Sequence, residues 1–212
     1  MKKGMKKCKV LLCAAVAVFM LAACQKEELF DAKGYVQGVL DACYHGEYAA
    51  HAEDVGQTED EIREGIESAD YEEAENALKG TAMQVTEEHI AQYLELITGA
   101  YKKIEYTVGE AVEDENGNFT VEVSVVPLGM LDSLEEIFTN KLTEAVNNGT
   151  SEEEYMDIFL VSIKESIDAA ETFDPVTVTF HVNYTEDADG NRVYDIEEDD
   201  MTSFDNIAIH QQ

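Results

Sequence analysis

Two short turn signals separate stretches whose apolar residues repeat every second position from stretches where they follow a helical period. That change of period constrains the fold more than any other feature. Tyr106, Val108 and Val112 lead into Asp114-Glu115-Asn116-Gly117-Asn118, after which Phe119, Val121, Val123 and Val125 alternate with polar residues until Pro127. Asn-Gly between alternating runs marks a hairpin, because its turn requires positive φ at the central positions. The arrangement returns near the C-terminus. Val176, Val178, Phe180, Val182 and Tyr184 alternate, Asp187-Ala188-Asp189-Gly190-Asn191 turns the chain, and a shorter partner covers 193–196.

The remaining apolar residues keep helical spacing. Asp31 reads as an N-cap, with Phe30 and Tyr35 placed as a hydrophobic staple. Tyr35, Val36, Val39, Leu40, Cys43 and Tyr44 form one face that Gly46 ends. Thr58 and Glu61 make a capping box for a helix over 58–79, with Ile62, Ile66, Ala69 and Leu78 inward and an acidic outer face. A third helix over 86–103 carries Ile90, Tyr93, Leu94, Ile97 and Tyr101. Between the hairpins, Leu131, Leu134, Phe138, Leu142 and Ala145 stripe a fourth helix, stopped at Asn147-Asn148-Gly149. Tyr155, Ile158, Phe159, Ile163 and Ile167 stripe a fifth, opened by the Ser151/Glu154 capping box and broken at Asp174-Pro175. The tail over 197–212, acidic and then mildly apolar at Phe204, Ile207 and Ile209, reads as an edge strand or a loose end. The expected class is α+β: about five helices on one face of a four-stranded antiparallel sheet made of two hairpins. By fold analogy alone, such a packing fits the cone of nuclear-transport-factor-2-like domains.

The N-terminus has a separate role. Lys2, Lys3, Lys6, Lys7 and Lys9 precede an apolar run over 10–22, too short to span a bilayer comfortably, and the run ends in Leu21-Ala22-Ala23-Cys24. The segment resembles the bacterial lipoprotein signal. The resemblance implies cleavage after residue 23 and a diacylglyceryl group on Cys24, whose two chains supply the two anchors that stable attachment needs. The expected organisation is a signal peptide over 1–23, a lipidated cysteine and short tether over 24–30, and a single domain over 31–212. Fully extended, the tether reaches about 20 Å. The expected location is the outer face of the cytoplasmic membrane.

Cleavage would remove five lysines and no acid, taking the formal charge from −32 to −37, with 9 basic residues left against 46 acidic ones. That balance argues against nucleic acid and against electrostatic attachment to anionic lipid, both of which attract Lys and Arg. Tyr35-Val36-Gln37-Gly38-Val39-Leu40-Asp41-Ala42-Cys43-Tyr44-His45-Gly46-Glu47-Tyr48 resembles the opening of lipoprotein domains from anaerobic gut Firmicutes. That family has no settled activity, so the resemblance carries over no functional residue.

No enzyme signature stands out, and the chain reads as leaning away from catalysis. Neither Asp/Gly turn matches the calcium loop, which needs ligands at its first and twelfth positions: Gly190 as sixth puts Thr185 first and Ile196 twelfth, and Gly117 puts Val112 and Val123 there. A looser cation site remains as a weak candidate at Glu186, Asp187 and Asp189, near Asp195, Glu197, Glu198, Asp199 and Asp200. The five histidines form no ligand motif and each reads as facing solvent. No nucleotide-binding glycine loop appears, and no cofactor is expected. The leading expectation is a membrane-tethered module that binds a protein, a small molecule or weakly held calcium. Its rival is a cell-envelope hydrolase using paired carboxylates, which predicts two buried acids with raised pKa values in one pocket.

Overall fold

The computed structural model describes residues 30–186 and 192–210. Leu21, Ala22, Ala23 and Cys24 lie outside that range, as do Asp187 and Asp189. Among the described residues the order is α1 (Ala32–Leu40), a π-helical turn (Asp41–His45), α2 (Ala49–Val55), α3 (Glu59–Lys79), α4 (Glu87–Tyr101), β1 (Glu105–Glu113), β2 (Phe119–Val126), α5 (Leu134–Asn147), α6 (Tyr155–Asp168), β3 (Val176–Glu186), β4 (Arg192–Ile196) and α7 (Glu198–Ala208). The class is α+β, with seven α-helices and one antiparallel sheet in the order β1-β2-β3-β4.

The two hairpins join through β2 and β3, where Val121 faces Phe180 and Val123 faces Val178. One face of the sheet is apolar and buried, formed by Val108, Val121, Val123, Val125, Phe180, Val182 and Ile196. The intervening Thr120, Glu122, Thr177 and Thr179 are exposed, as strand alternation requires. Helix α1 packs on β1 and β2, and α7 packs on β2 and β3. The core draws on residues from α1 through α7, with α5 represented by the partly buried Leu134.

Local chemistry accounts for the element ends. Asp31 accepts the Gly34 N–H at 2.9 Å, and the Phe30 and Tyr35 rings meet at 5.5 Å, completing the staple. Thr58 and Glu61 form their reciprocal cap. Asp114 closes the first hairpin by accepting the N–H groups of Asn116 at 2.7 Å and Asn118 at 3.0 Å. Those bonds, with the Asn118 side chain first, hold its carboxyl below the usual range and occupy its oxygens.

A bulge interrupts the β1–β2 register between Val108 and Ala111. Gly109 permits it, since a Cβ there would stand 2.8 Å from the Glu122 carbonyl oxygen. Gly109→Ala is expected to cost about 1–3 kcal/mol, the usual range for forcing extra atoms into a packed site, read as a lower urea midpoint at unchanged slope.

Two elements differ from expectation. Residues 49–55 form α2, which the sequence reading left out. The tail is not an edge strand or loose: it folds as α7, burying Met201, Phe204 and Ala208, with Ile209 beyond its end.

Candidate functional site

The chain leaves α1 without a break and widens into the π-helical turn, in which the N–H of Gly46 bonds the Asp41 carbonyl. Such turns occur mostly as single insertions and concentrate at functional sites. Asp41 and His45, four residues apart, lie side by side on this turn, with carboxylate and Nδ1 3.6 Å apart.

Tyr106, near the start of β1, reaches across to this turn. Its hydroxyl donates to Asp41 Oδ1 at 2.5 Å, and its ring stacks on His45 with centroids 5.0 Å apart and planes 12° apart. His45 Nε2 lies 3.1 Å from the Ile104 carbonyl oxygen, which only accepts, so Nε2 carries the hydrogen. Nδ1 then faces the Tyr106 hydroxyl at 3.3 Å. Burial first, and then the Asp41 hydrogen bond and charge, hold the Tyr106 phenol far above its ordinary pKa. The hydroxyl's single hydrogen goes to Asp41, and Tyr106 meets the imidazole by ring stacking.

A cleft of about 520 Å³ opens beside these residues, at the end of the sheet where β1 begins and β2 finishes. His45, Lys102, Glu105, Ser124, Val126 and Pro175 are among its lining. It offers one cation, one carboxylate, the hydroxyls of Tyr106, Thr107 and Ser124, an imidazole and a short apolar wall. That mixture suits a ligand with both charges and hydrogen-bonding groups, such as a peptide, better than a purely apolar one.

Behind the cleft lies a sealed layer of tyrosines and acids. Tyr44 donates its hydroxyl to Asp205 Oδ1. Its ring meets Tyr101 at 5.3 Å, Phe204 at 5.2 Å and Tyr106 at 6.3 Å. Burial, followed by the Asp205 charge, pushes the Tyr44 and Tyr101 phenols well above their ordinary value. Asp70 on α3 is buried too, and burial, reinforced by Glu73 and Glu67, raises its carboxyl to about 7. Tyr101 feels both Asp205 and Asp70. Neither acid lines the cleft.

Two histidines depart from the solvent-facing expectation. His89 is buried and completes the α4 cap, its Nδ1 accepting the Thr86 N–H at 3.2 Å. His51 on α2 is 1 % exposed, and neither ring nitrogen has a hydrogen-bond partner among the described residues. Burial lowers its pKa and keeps it neutral. Gly38 makes this possible, because a Cβ there would stand 3.1 Å from the His51 backbone nitrogen, so α1 and α2 cross at close range.

Of the weak cation candidates, Glu186 ends β3 and accepts the Tyr184 hydroxyl at 2.6 Å; Asp187 and Asp189 fall outside the described residues. The structure instead gathers His181, Glu197 and Asp200, with one ligand-type atom of each within 4.8 Å of the others. Asp200 accepts the His181 backbone N–H at 2.6 Å and lies 2.9 Å from its Nδ1, while Glu197 accepts the Asn183 amide at 2.9 Å. These bonds carry the β3–β4 seam into α7. Sequence reading named Glu197 and Asp200 but set His181 apart, since only the folding of α7 against β3 unites them.

No helix among the described residues is long and apolar enough to cross a membrane. No family model matches the sequence, and no curated protein matches it. Among solved structures, the chain is similar to the crystal structure of a provisionally assigned lipoprotein (ycdA) from Bacillus subtilis subsp. subtilis str. 168. The TM-score is 0.60 at 14% identity, over 84% of this chain and 55% of that one. The chain thus spans about half the length of its neighbour. At this identity the likeness establishes the fold.

Proposed function

We propose that this chain is a lipid-anchored, extracytoplasmic lipoprotein acting as a binding or interaction module, with the cleft at His45 and Tyr106 as its ligand site. The observation that carries the binding role is Tyr106, hydrogen-bonded to Asp41 and stacked on His45, held by a π-helical turn at the edge of a 520 Å³ cleft. The anchor is supported by Leu21-Ala22-Ala23-Cys24 and by the provisional lipoprotein assignment of the structural neighbour. A hydrolase using paired carboxylates requires two acids on a common pocket, and neither Asp70 nor Asp205 lines the cleft.

Native mass spectrometry of the mature protein, extracted in detergent, tests both halves. The expected chain begins at Cys24 and carries a diacylglyceryl group. Incubation with a peptide-containing cell-envelope extract is expected to add one stoichiometric mass, reduced about tenfold by His45→Ala and by the exposed Lys102→Glu, a loss of about 1.4 kcal/mol in binding. An adduct indifferent to both variants, or none at all, rejects the cleft as the site. A parallel incubation with 1 mM calcium, within the range of weak extracellular sites, scores the cation alternative.

A further inference from the structure

We infer that the domain stands on the membrane by the hairpin-turn end of its sheet, so that the cleft opens away from the bilayer; this rests on the anchor reading above. Phe30, the first described residue, is firmly held. Its ring stacks on Tyr194 with centroids 3.7 Å apart and planes 3° apart, and it lies 5.8 Å from Phe119. Phe119 opens β2, facing Glu113 on one side and Val182 on the other, and Tyr194 faces Tyr184. Both rings that receive Phe30 therefore belong to the end of the sheet where β1 turns into β2.

The cleft lies at the opposite end. Glu105 faces Val126 there, Val125 faces Val176, and Pro175 adjoins them. The run from Phe119 to Val126 covers about 23 Å at the usual strand rise. The six residue steps from Cys24 to Phe30 span at most about 20 Å. The hairpin-turn end is thus confined near the headgroups, while the cleft has a further sheet length of clearance.

The point of attachment, and not charge, sets the stance. A mature chain of formal charge −37 is repelled by an anionic leaflet. That repulsion does not choose the orientation, because the hairpin-turn end exposes Glu113, Asp114, Glu115 and Glu186 while the cleft end exposes Lys102 and Lys103; the short tether, fixed to the hairpin-turn end at Phe30, does. The cleft then draws its ligand from the wall side and not from the lipid.

Site-directed quenching in vesicles tests this with the full lipidated protein. Asn116→Cys marks the hairpin turn and Lys103→Cys the cleft end; wild type serves as the blank, since Cys43 is buried. Each variant is dye-labelled and reconstituted on phosphatidylcholine/phosphatidylglycerol vesicles bearing a short-range headgroup quencher. Given the sheet length between the two positions, quenching at residue 116 is expected to exceed that at 103 at least about threefold. Flotation with the vesicles is scored first. Failure to float overturns the anchor reading and this inference together, whereas flotation with equal or reversed quenching overturns the inference alone.

Discussion

Phe204→Ala is expected to lower the unfolding free energy by about 3–5 kcal/mol, the cost of deleting a sealed aromatic ring and leaving its cavity. Phe204 is fully buried and meets Tyr44 at 5.2 Å, Phe180 at 5.7 Å and Tyr106 at 5.9 Å. It therefore joins the C-terminal helix to the sheet and to the π-helical turn at once. Urea denaturation followed by circular dichroism provides the number. A loss below about 1 kcal/mol, the average for an arbitrary substitution, would mean that α7 packs loosely on a core that is complete without it.

The second large effect is a dependence of stability on pH. The Asp70 carboxyl is raised from 3.8 to about 7 by burial, then by Glu73 and Glu67, and Asp54 is raised to about 6 by burial, then by Asp31 and Glu53. Between 3.8 and those values the folded chain holds protons that the unfolded chain has released. Stability contributed by these groups is therefore whole below about pH 4 and falls as pH rises toward 7. Asp70 alone is expected to account for about 2–4 kcal/mol of that fall, at 1.36 kcal/mol per pKa unit. Asp70→Asn is accordingly expected to stabilise the protein at pH 8 and to change little at pH 4. The general relief of charge repulsion in acid affects wild type and variant alike, so their difference isolates this one carboxyl. A difference that stays flat from pH 4 to 8 would place Asp70 in water.

Much of the architecture was legible because each element announces its own ends. Asp31 and Thr58 cap α1 and α3, and Ser151 caps the 3-10 turn (Glu152–Glu154) that leads into α6, by bonds confined to three or four residues, and the Asn116-Gly117 turn needs only its neighbours. Helix α2 was missed for the converse reason: seven residues, three of them alanine, are too few to hold a helix alone, and it is stabilised by packing on Gly38. In α7, Met201, Phe204 and Ala208 do keep helical spacing, and Glu198, Asp199 and Asp200 suit the positive end of a helix dipole. The density of acid masked both signals. On α3 the sequence pattern points Ala69 inward, whereas the buried column is Ile62, Ile66, Asp70, Ala74 and Leu78, every fourth residue; an acid in that column is passed over because its neighbours are acids on the outer face. The cleft was not legible either. Asp41 and His45 lie more than sixty residues from Tyr106, and no local motif connects a widened helical turn to the first residues of a strand.

The outermost helix carries a consequence for how the molecule comes apart. Helix α5 packs chiefly on α6, which in turn packs on α4, and Ala145 is the only fully buried residue of α5. Its Leu134, Phe138 and Leu142 are half-buried. Opening α5 therefore removes no strand pairing and empties no part of the aromatic layer behind the cleft. Two tiers of cooperativity are therefore expected, with amide hydrogen exchange in α5 faster than in the sheet, α1, α4 and α7, which are expected to open together.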